Sequence, residues 1–273
     1  MRGKKRWLAA AAGLLILLLL ALDVRLRTVR YVIASEEVTD TVRLAILTDL
    51  HSCTYGENQS VLLTAVDAMA PDAVLLGGDI VDDVLPEENA WNTVAALAEK
   101  YPCAYVTGNH EWWSGEAERM CRQMEELGVA VLRGGRVTWS LNGQCITVCG
   151  VDDPDSGADQ LSAAADGLTE GFTVLLAHRP ERIGDYLRYP FDLVVSGHAH
   201  GGLWRLPGLV NGIYAPHQGL LPQYAGGRYD FDDCVFLVSR GLARESTRIP
   251  RLFNRPELVA AEIVPMAEMG STP

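Results

Sequence analysis

Five of the six histidines in this sequence lie in short polar motifs, and each motif directly follows an apolar run. Open α/β sheets place their sites at the carboxyl ends of strands, so these motifs are expected to converge. Aspartate, asparagine and histidine side chains suit Mn²⁺, Fe or Zn²⁺. The pattern therefore predicts a metal centre. The motifs are Asp49-Leu50-His51, Gly78-Asp79, Gly108-Asn109-His110-Glu111, His178 and Gly197-His198-Ala199-His200.

Each motif taken alone has a simpler interpretation. An Asp-x-His sequence can be a capping aspartate beside a packed histidine, and Gly-Asp after a strand is commonly a turn. The pair His198 and His200 is more specific, because side chains two residues apart on an extended chain share a face. The five motifs together, each at its own strand end, favour metal binding.

Seven candidate ligands are too many for one ion and suit two. If Asp79 bridges the ions, Asp49 and Asp79 set two negative charges against four positive ones. The remaining positive charge can hold a bridging hydroxide and a phosphate ester. Two ions about 3.5–4 Å apart stabilise both the attacking and the leaving oxygen of an in-line displacement. The seven predicted ligands are Asp49, His51, Asp79, Asn109, His178, His198 and His200.

Apolar runs alternate with helical periodicity and predict one α/β domain that positions these motifs. Asn142-Gly143 is a strong hairpin signal. The predicted strands are 42–48, 73–76, 104–107, 129–132, 136–141, 144–150, 172–177, 193–196, 234–239 and 258–264. The predicted helices are 58–70, 87–100, 115–127, 158–167 and 181–188. The domain is predicted over 42–265, after a juxtamembrane linker at 31–41 and before a loose tail at 266–273.

Residues 7–22 form an unbroken apolar run behind four basic residues. As a helix the run spans about 24 Å, slightly less than a hydrocarbon core of about 30 Å, and flanking Lys and Arg side chains can cover the difference. Small residues lie at its start rather than its end, which favours an uncleaved transmembrane signal anchor over a cleaved signal peptide. Four basic residues precede the run and three follow it, which slightly favours an amino terminus in the cytoplasm. Residues 1–30 therefore predict a single-pass cell-membrane protein with an extracytoplasmic catalytic domain.

The charge distribution excludes one class of function. The chain has 23 Lys and Arg residues against 35 Asp and Glu residues, a net charge of −12. Residues 1–30 hold seven basic residues and one acidic residue, so the rest of the chain carries −18. A region this acidic lacks the excess of basic residues that binds a polyanion, so nucleic acid is not expected as a partner. The six cysteines show no closely spaced metal pattern.

The combined motifs resemble the calcineurin-like metallophosphoesterase superfamily over about residues 42–200. The resemblance implies an α/β fold of the α+β type, a four-layer sandwich of two central mixed sheets flanked by helices. It also implies that Asp79 bridges two metals and that His110 acts near the leaving group, as a general acid or in stabilising the transition state. The implied ligands are Asp49, His51 and His200 for the first metal, and Asn109, His178 and His198 for the second.

The stretch from Gly197 to Pro207 and the sequence Gly150-Val151-Asp152-Asp153-Pro154 are similar to a membrane-anchored bacterial phosphodiesterase branch. Some members of that branch are related to enzymes that cleave the pyrophosphate of UDP-2,3-diacylglucosamine. Leu203 stands where that branch is expected to have Gln, a departure that affects substrate recognition and no metal ligand. Arg179 lies next to a motif and can either clamp a phosphate or form an ion pair.

The hypothesis from sequence is a membrane-anchored dinuclear phosphoesterase that cleaves phosphodiester or pyrophosphate bonds by attack of a metal-bridging hydroxide. Two divalent ions are expected, with Mn²⁺ first and Fe or Zn²⁺ as alternatives. The expected partners are a phosphate ester, with a lipid-linked one as an option, and the bilayer through residues 7–22. The alternatives are a UDP-2,3-diacylglucosamine-type pyrophosphatase, a phosphomonoesterase and a catalytically silent metal-binding module. Glu111 is interpreted as orienting His110, and His217 has no assigned role.

Overall fold

The computed structural model describes residues 2–168, 171–246 and 249–266. The helices are α1 (Arg2–Ala21), α2 (Ser60–Asp67), α3 (Glu88–Ala98), α4 (Asn109–Trp113), α5 (Ala117–Glu126), α6 (Leu161–Ala165) and α7 (Ile183–Tyr186). The strands are β1 (Arg27–Ser35), β2 (Val42–Leu47), β3 (Ala73–Gly77), β4 (Cys103–Val106), β5 (Ala130–Val131), β6 (Arg136–Leu141), β7 (Gln144–Val151), β8 (Phe172–Ala177), β9 (Leu193–Ser196), β10 (Tyr214–Ala215), β11 (Gly219–Leu220), β12 (Gly227–Asp230), β13 (Val235–Val238) and β14 (Glu257–Pro265).

The first sheet has the strand order β1-β14-β2-β3-β4-β5. Strands β2 to β5 are parallel, β14 runs antiparallel to β2, and β1 pairs in parallel with β14. Strands β3 and β4 are buried along their whole length, as expected for parallel strands covered on both faces. The carboxyl ends of β2, β3 and β4 therefore lie side by side at one end of the sheet.

The second sheet has the strand order β12-β13-β9-β8-β7-β6. Strands β7, β8, β9 and β13 are parallel, and the edge strands β6 and β12 are antiparallel to their neighbours. The predicted hairpin joins β6 to β7 and pairs Leu141 with Gln144. Both turn residues, Asn142 and Gly143, have positive φ, as a two-residue hairpin turn requires. This prediction is confirmed.

Within the described part of the chain, three apolar clusters hold the layers together. The first lies between the two sheets and includes Leu44 of β2 and Leu176 of β8. Alternate residues of a strand face opposite sides, so Leu47 of β2 belongs instead to the second cluster, where α2, α3 and α5 cover the first sheet. The third cluster packs Tyr186 of α7 against the outer side of the second sheet. The prediction of two central mixed sheets with flanking helices is confirmed.

The amino-terminal helix corrects the prediction of a transmembrane segment over residues 7–22. Within the described residues, no helix is both long enough and apolar enough to cross a membrane. Helix α1 has 20 residues, but its first turns are basic. The apolar part from Trp7 onward is about 22 Å long, against a hydrocarbon core of about 30 Å. At its other end the carbonyl of Ala21 accepts a hydrogen bond from the backbone N–H of Phe253 (2.7 Å).

The segment after α1 is more ordered than predicted. Residues 27–35 form β1, so the predicted linker at 31–41 begins within the first sheet. Strand β1 pairs along its whole length with β14, which lies near the other end of the chain. Most of the predicted tail, residues 267–273, lies outside the described residues.

Candidate metal centre

The five predicted motifs converge where the two sheets face each other. Asp49, Asp79 and Asn109 follow β2, β3 and β4 of the first sheet, while His178 and His198 follow β8 and β9 of the second. Neighbouring loops are tied by backbone hydrogen bonds, for example from the N–H of Asp49 to the carbonyl of Gly78 (3.0 Å). The parallel order of these strands therefore accounts for the convergence.

Asp49, His51, Asp79 and His200 form the first group of potential ligands. One ligand atom of each lies within 4.8 Å of the others. His51 Nε2 is 3.6 Å from Asp79 Oδ2, and His200 Nε2 is 3.7 Å from Asp49 Oδ1. All four residues are buried. This group could hold one divalent ion.

Asp79, His178 and His198 form the second group, again within 4.8 Å of one another. His178 Nε2 is 3.1 Å from Asp79 Oδ2. Asn109 is buried at the end of β4, and its Oδ1 atom has no hydrogen-bond partner. Because Asp79 belongs to both groups, its carboxylate is the one that could bridge two ions.

The hydrogen bonds of the site test whether the residues fit metal ions. Buried polar atoms are nearly always paired, and an unpaired one calls for an explanation such as an ion. His51 Nδ1 is 2.9 Å from Asp82 Oδ1, and His178 Nδ1 is 2.8 Å from the carbonyl of Gly77. Each ring therefore presents Nε2 to the centre. The buried atoms of the predicted ligands that have no hydrogen-bond partner among the described residues are Asp49 Oδ2, His51 Nε2, Asp79 Oδ2, Asn109 Oδ1, His178 Nε2 and His200 Nδ1. These residues fit two divalent ions.

His198 has a different environment from the other predicted ligands. Its Nε2 atom is 2.9 Å from His217 Nδ1 and 3.3 Å from a guanidinium nitrogen of Arg179. Arg179 is 3% exposed, and its remaining nitrogens donate to the fully buried carboxylate of Asp153. Arg179 is thus a buried ion-pair partner. His198 could bind an ion through Nε2 only if its contacts with His217 and Arg179 were broken.

The backbone at the site is held in costly conformations. Five of the predicted ligands have φ between 47° and 63°. For residues other than glycine this left-handed region costs on the order of 1–3 kcal/mol each, and such residues cluster at functional sites. The five are Asp49, His51, Asp79, His198 and His200.

The charges of the site suit the binding of cations. Burial lowers the pKa of His200 to about 3, and burial together with the charge of His178 lowers the pKa of His198 well below its usual range. Both rings are therefore neutral. Burial opposes the charged form of Asp79, but His178 and His51 hold the pKa of this carboxyl well below its usual range. Burial likewise opposes protonation of His178, yet Asp79 raises the pKa of that ring to about 10. Metal binding to such a pair releases a proton.

His110 lies at the mouth of the centre, with its side chain 24% exposed. Its Nδ1 atom is 2.6 Å from Asp83 Oδ1 and 3.4 Å from Asp82 Oδ1. Burial lowers the pKa of the ring, but the hydrogen bond to Asp82 and the charge of Asp79 raise it to about 9. A protonated and partly exposed imidazole at this position can donate a proton to a reacting group.

Glu111 does not orient His110, which corrects that interpretation. Its fully buried carboxylate instead accepts hydrogen bonds from four backbone N–H groups. These donors belong to the loop after β3 and to the loop after β4, so one side chain fixes the turn that carries Asp79. The donors are Asp79 (3.0 Å), Ile80 (2.7 Å), Val81 (3.1 Å) and Gly108 (2.7 Å).

Sequence reasoning missed Asp82 and Asp83, and it missed the contacts of Arg179 with Asp153 and His217. Asp82 and Asp83 follow Asp79 by three and four residues in the same loop, and this spacing was a signal that could have been used. Carboxylates that hold metal-ligating histidines are a general feature of metal sites. The contact between Arg179 and His217 joins distant parts of the chain and left no signal in the sequence.

The family model described as Calcineurin-like phosphoesterase matches residues 42–202, well over half of the chain, and the match contains all five motifs. The uncharacterized metallophosphoesterase YkuE of Bacillus subtilis (strain 168) is 28% identical over 230 residues, covering 80% of this chain and 78% of the relative. An uncharacterized metallophosphoesterase of Aquifex aeolicus (strain VF5) is 28% identical over 254 residues, covering 87% of this chain and 92% of the relative. The structure of phosphopantetheinyl hydrolase PptH from Mycobacterium tuberculosis has a TM-score of 0.47 at 14% identity, covering 74% of this chain and 89% of that one.

Proposed function

The chain belongs to the calcineurin-like phosphoesterase family, and on this premise we propose that it hydrolyses phosphodiester or pyrophosphate bonds with two divalent ions. Membership of this family makes the chain a metal-dependent phosphoesterase. The type of bond that is cleaved and the residues that bind the metal ions are what we propose. The proposed ligands are Asp49, His51 and His200 for one ion, Asn109, His178 and His198 for the other, and Asp79 for both.

The observation that carries the proposal is the set of buried, unpaired ligand atoms in two groups that share Asp79. Asp49 and Asp79 set two negative charges against four positive ones, so a phosphate can be held despite the acidic body. No cysteine belongs to either group. An oxygen and nitrogen ligand set suits Mn²⁺, with Fe or Zn²⁺ as alternatives.

His110 is proposed to protonate the oxygen of the leaving group. When bound, the two ions supply Lewis-acid polarisation of the phosphoryl group and a template for in-line displacement. Asp82 and Asp83 engage Nδ1 of His110, which leaves Nε2 to deliver the proton. General acid catalysis of this kind contributes on the order of 10²–10⁴-fold to the rate.

The charges around the centre favour a diester over a monoester. Asp83 contacts His110 directly, and Asp155 contacts Trp113, an exposed side chain that packs against the ring of His110. The phosphate group of a monoester has a net charge of nearly −2 at neutral pH. Each phosphate group of a diester or a substituted pyrophosphate has a charge of −1. Repulsion by these carboxylates is therefore weaker for the diester and the pyrophosphate.

A location at the cell membrane and a lipid-linked substrate are also part of the proposal. Leu15 and Leu19 of α1 are 58% and 65% exposed, and apolar patches of this kind mark contacts with proteins or membranes. The basic first turns of α1 suit anionic lipid. The full chain is expected to sediment with anionic vesicles, and Leu15→Asp with Leu19→Asp is expected to reduce this. Val61→Asp, at an apolar position on α2 that is 52% exposed, is the control. Equal sedimentation of the wild type, the double variant and the control would contradict the membrane contact.

The experiment that tests the function uses the full chain, stripped of metal and reconstituted with Mn²⁺. Hydrolysis of bis-p-nitrophenyl phosphate is compared with hydrolysis of p-nitrophenyl phosphate, and bound metal is counted by elemental analysis. Asp79→Asn is expected to lose both ions and nearly all diesterase activity. His110→Ala is expected to retain the metal and to lose on the order of 10²–10⁴-fold in kcat on a dialkyl diester, whose leaving oxygen needs a proton, and less on the p-nitrophenyl diester. Asp67→Asn removes an exposed carboxylate and is the control. Full metal content and activity in Asp79→Asn would refute the proposed centre.

A further inference from the structure

An apolar groove opens beside the loop that carries His200. It encloses about 280 Å³ and is lined by Leu203, Trp204, Ile213, Tyr214, Leu220 and Ile249. Gly202 also lines it, and the Cα atom of Gly202 lies within about 7.6 Å of that of His200, because consecutive Cα atoms are 3.8 Å apart. The indole N–H of Trp204 donates to the carbonyl of Pro250 (2.9 Å). The groove therefore lies beside the loop that carries His200, and among the described residues no charged side chain lines it.

One buried side chain fixes both the metal centre and the groove. The amide nitrogen of Asn254, which is fully buried, donates to the carbonyl of His200 (2.7 Å) and to the carbonyl of Leu203 (3.1 Å). Leu203 has a φ of +54°, a conformation that costs a bulky residue on the order of 1–3 kcal/mol and is found mostly at functional sites. Leu203, which lines the groove, is thus held in a fixed position relative to His200.

We propose that this groove binds the alkyl or acyl chain of a phosphate diester whose phosphate lies at the metal centre, an inference that rests on the proposed function. A hydrocarbon chain needs no polar partner, whereas a sugar or a nucleobase would lose hydrogen bonds in such a lining. The volume is at the lower limit of ligand pockets, which are about 300–1,000 Å³, and this suits one chain.

The surroundings of the groove support the same occupant. Leu220 is 76% exposed and Ile249 is 47% exposed, so the groove presents apolar surface that a bound chain would cover. The segment that begins at Ile249 leads to Phe253, whose backbone N–H donates to the carbonyl of Ala21 at the end of α1. A short segment, residues 249–253, therefore links the groove to the end of the exposed apolar helix.

The test compares p-nitrophenyl methyl, butyl and octyl phosphates as substrates of the Mn²⁺-loaded full chain. In each case water adds to phosphorus and releases a proton to the solvent, the bond from phosphorus to the nitrophenyl oxygen breaks, and p-nitrophenolate and an alkyl phosphate leave. The leaving group is constant, so kcat/KM reports the alkyl chain alone. We expect kcat/KM to rise about fourfold per methylene, which corresponds to about 0.8 kcal/mol, until the groove is filled. Leu220→Asp is expected to abolish this dependence on chain length. Leu209→Asp, at a position 86% exposed and outside the groove, is expected to retain it.

A wild type that cleaves the methyl diester with no dependence on chain length would overturn the groove proposal and leave the proposed function intact. A wild type that cleaves none of the diesters would refute the proposed phosphodiesterase activity, and a binding measurement then tests the groove separately. Calorimetric titration of n-octyl phosphate is expected to show binding to the wild type and to Leu209→Asp, with at least tenfold weaker binding to Leu220→Asp. Equal affinity in all three proteins would overturn the proposal.

Discussion

At the scale of single residues, Glu111 is the side chain whose loss should disturb the site most without removing a proposed ligand. Its carboxylate accepts four backbone N–H groups from the loops after β3 and β4. Glu111→Ala leaves these donors buried, and each unsatisfied donor costs about 1–3 kcal/mol. We expect the free energy of unfolding in urea to fall by more than about 3 kcal/mol. Glu125→Ala, an exposed position on α5, should change it by less than about 0.5 kcal/mol. Similar values for the two variants would contradict this account of Glu111.

The cysteines give a second prediction at the residue scale. Five of them are buried and Cys145 is exposed. Burial raises the pKa of Cys103, Cys121 and Cys234 to about 12, so their reactive thiolate form is rare at pH 8. We expect one thiol to react rapidly with Ellman's reagent in the native chain and six to react in guanidinium chloride. Cys145→Ser should remove the rapid phase, and a rapid phase that persists would contradict the burial of the others.

Residue identity predicted much of the candidate site because its chemistry is carried by rare residue types. Five of six histidines fall at strand ends, and the structure brings all five to the centre. Sequence could not predict the roles of Glu111 or His217, since these depend on hydrogen bonds. Glu111 follows β4 but accepts hydrogen bonds from the loop after β3. His217 contacts His198 from an irregular loop, and no periodic pattern in the sequence predicts where that loop lies.

At the scale of elements, the turns at Gly108 and Gly197 have room for the carboxylates of Asp79 and Asp49 because glycine has no side chain. A Cβ atom on Gly108 would lie 2.2 Å from Asp79 Oδ1, and one on Gly197 would lie 2.5 Å from Asp49 Oδ2. Both turns join a strand to a motif of the site. Gly108→Ala and Gly197→Ala are therefore expected to displace the carboxylates and lower Mn²⁺-dependent diesterase activity about 100-fold, the typical effect of a 1 Å misplacement.

Gly135→Ala is the matched control for these turns, because a Cβ atom there meets nothing within 4 Å. Its activity should remain within about twofold of the wild type. Manganese affinity, measured by calorimetry, should fall in the Gly108 and Gly197 variants and not in the control. Unchanged affinity in Gly108→Ala would show that Asp79 can move aside at no cost to ion binding.

The central strands were predictable because parallel strands buried on both faces are unbroken apolar runs, and β8 and β9 have the predicted bounds. Strand β1 was not predicted, because Arg27, Arg30 and Tyr31 interrupt its apolar pattern. Its position depends on β14, which lies more than 200 residues away in the sequence. The apolar length of residues 7–22 predicted a membrane span, but no described helix is both long enough and apolar enough to cross a membrane.

At the scale of the whole molecule, the candidate centre joins the two sheets. Asp49, Asp79 and Asn109 come from the first sheet, and His178, His198 and His200 come from the second. The apolar cluster between the sheets provides the remaining contact. Ions that bind these residues therefore bind the folded arrangement and not the separated strands, which makes metal binding a contribution to folding stability.

Metal removal should consequently lower the thermal stability of the full chain. An ion present at 100 times its dissociation constant stabilises the fold by about 2.7 kcal/mol, so two ions give about 5 kcal/mol. At about 2–4 °C per kcal/mol for a domain of this size, loading the metal-free chain with Mn²⁺ is expected to raise Tm by on the order of 10 °C, measured by calorimetry. Asp79→Asn should lose this increase because Asp79 belongs to both groups, and Asp67→Asn should keep it. An equal increase in both variants would mean that the stabilising ions bind elsewhere, since neither group retains its shared carboxylate in Asp79→Asn.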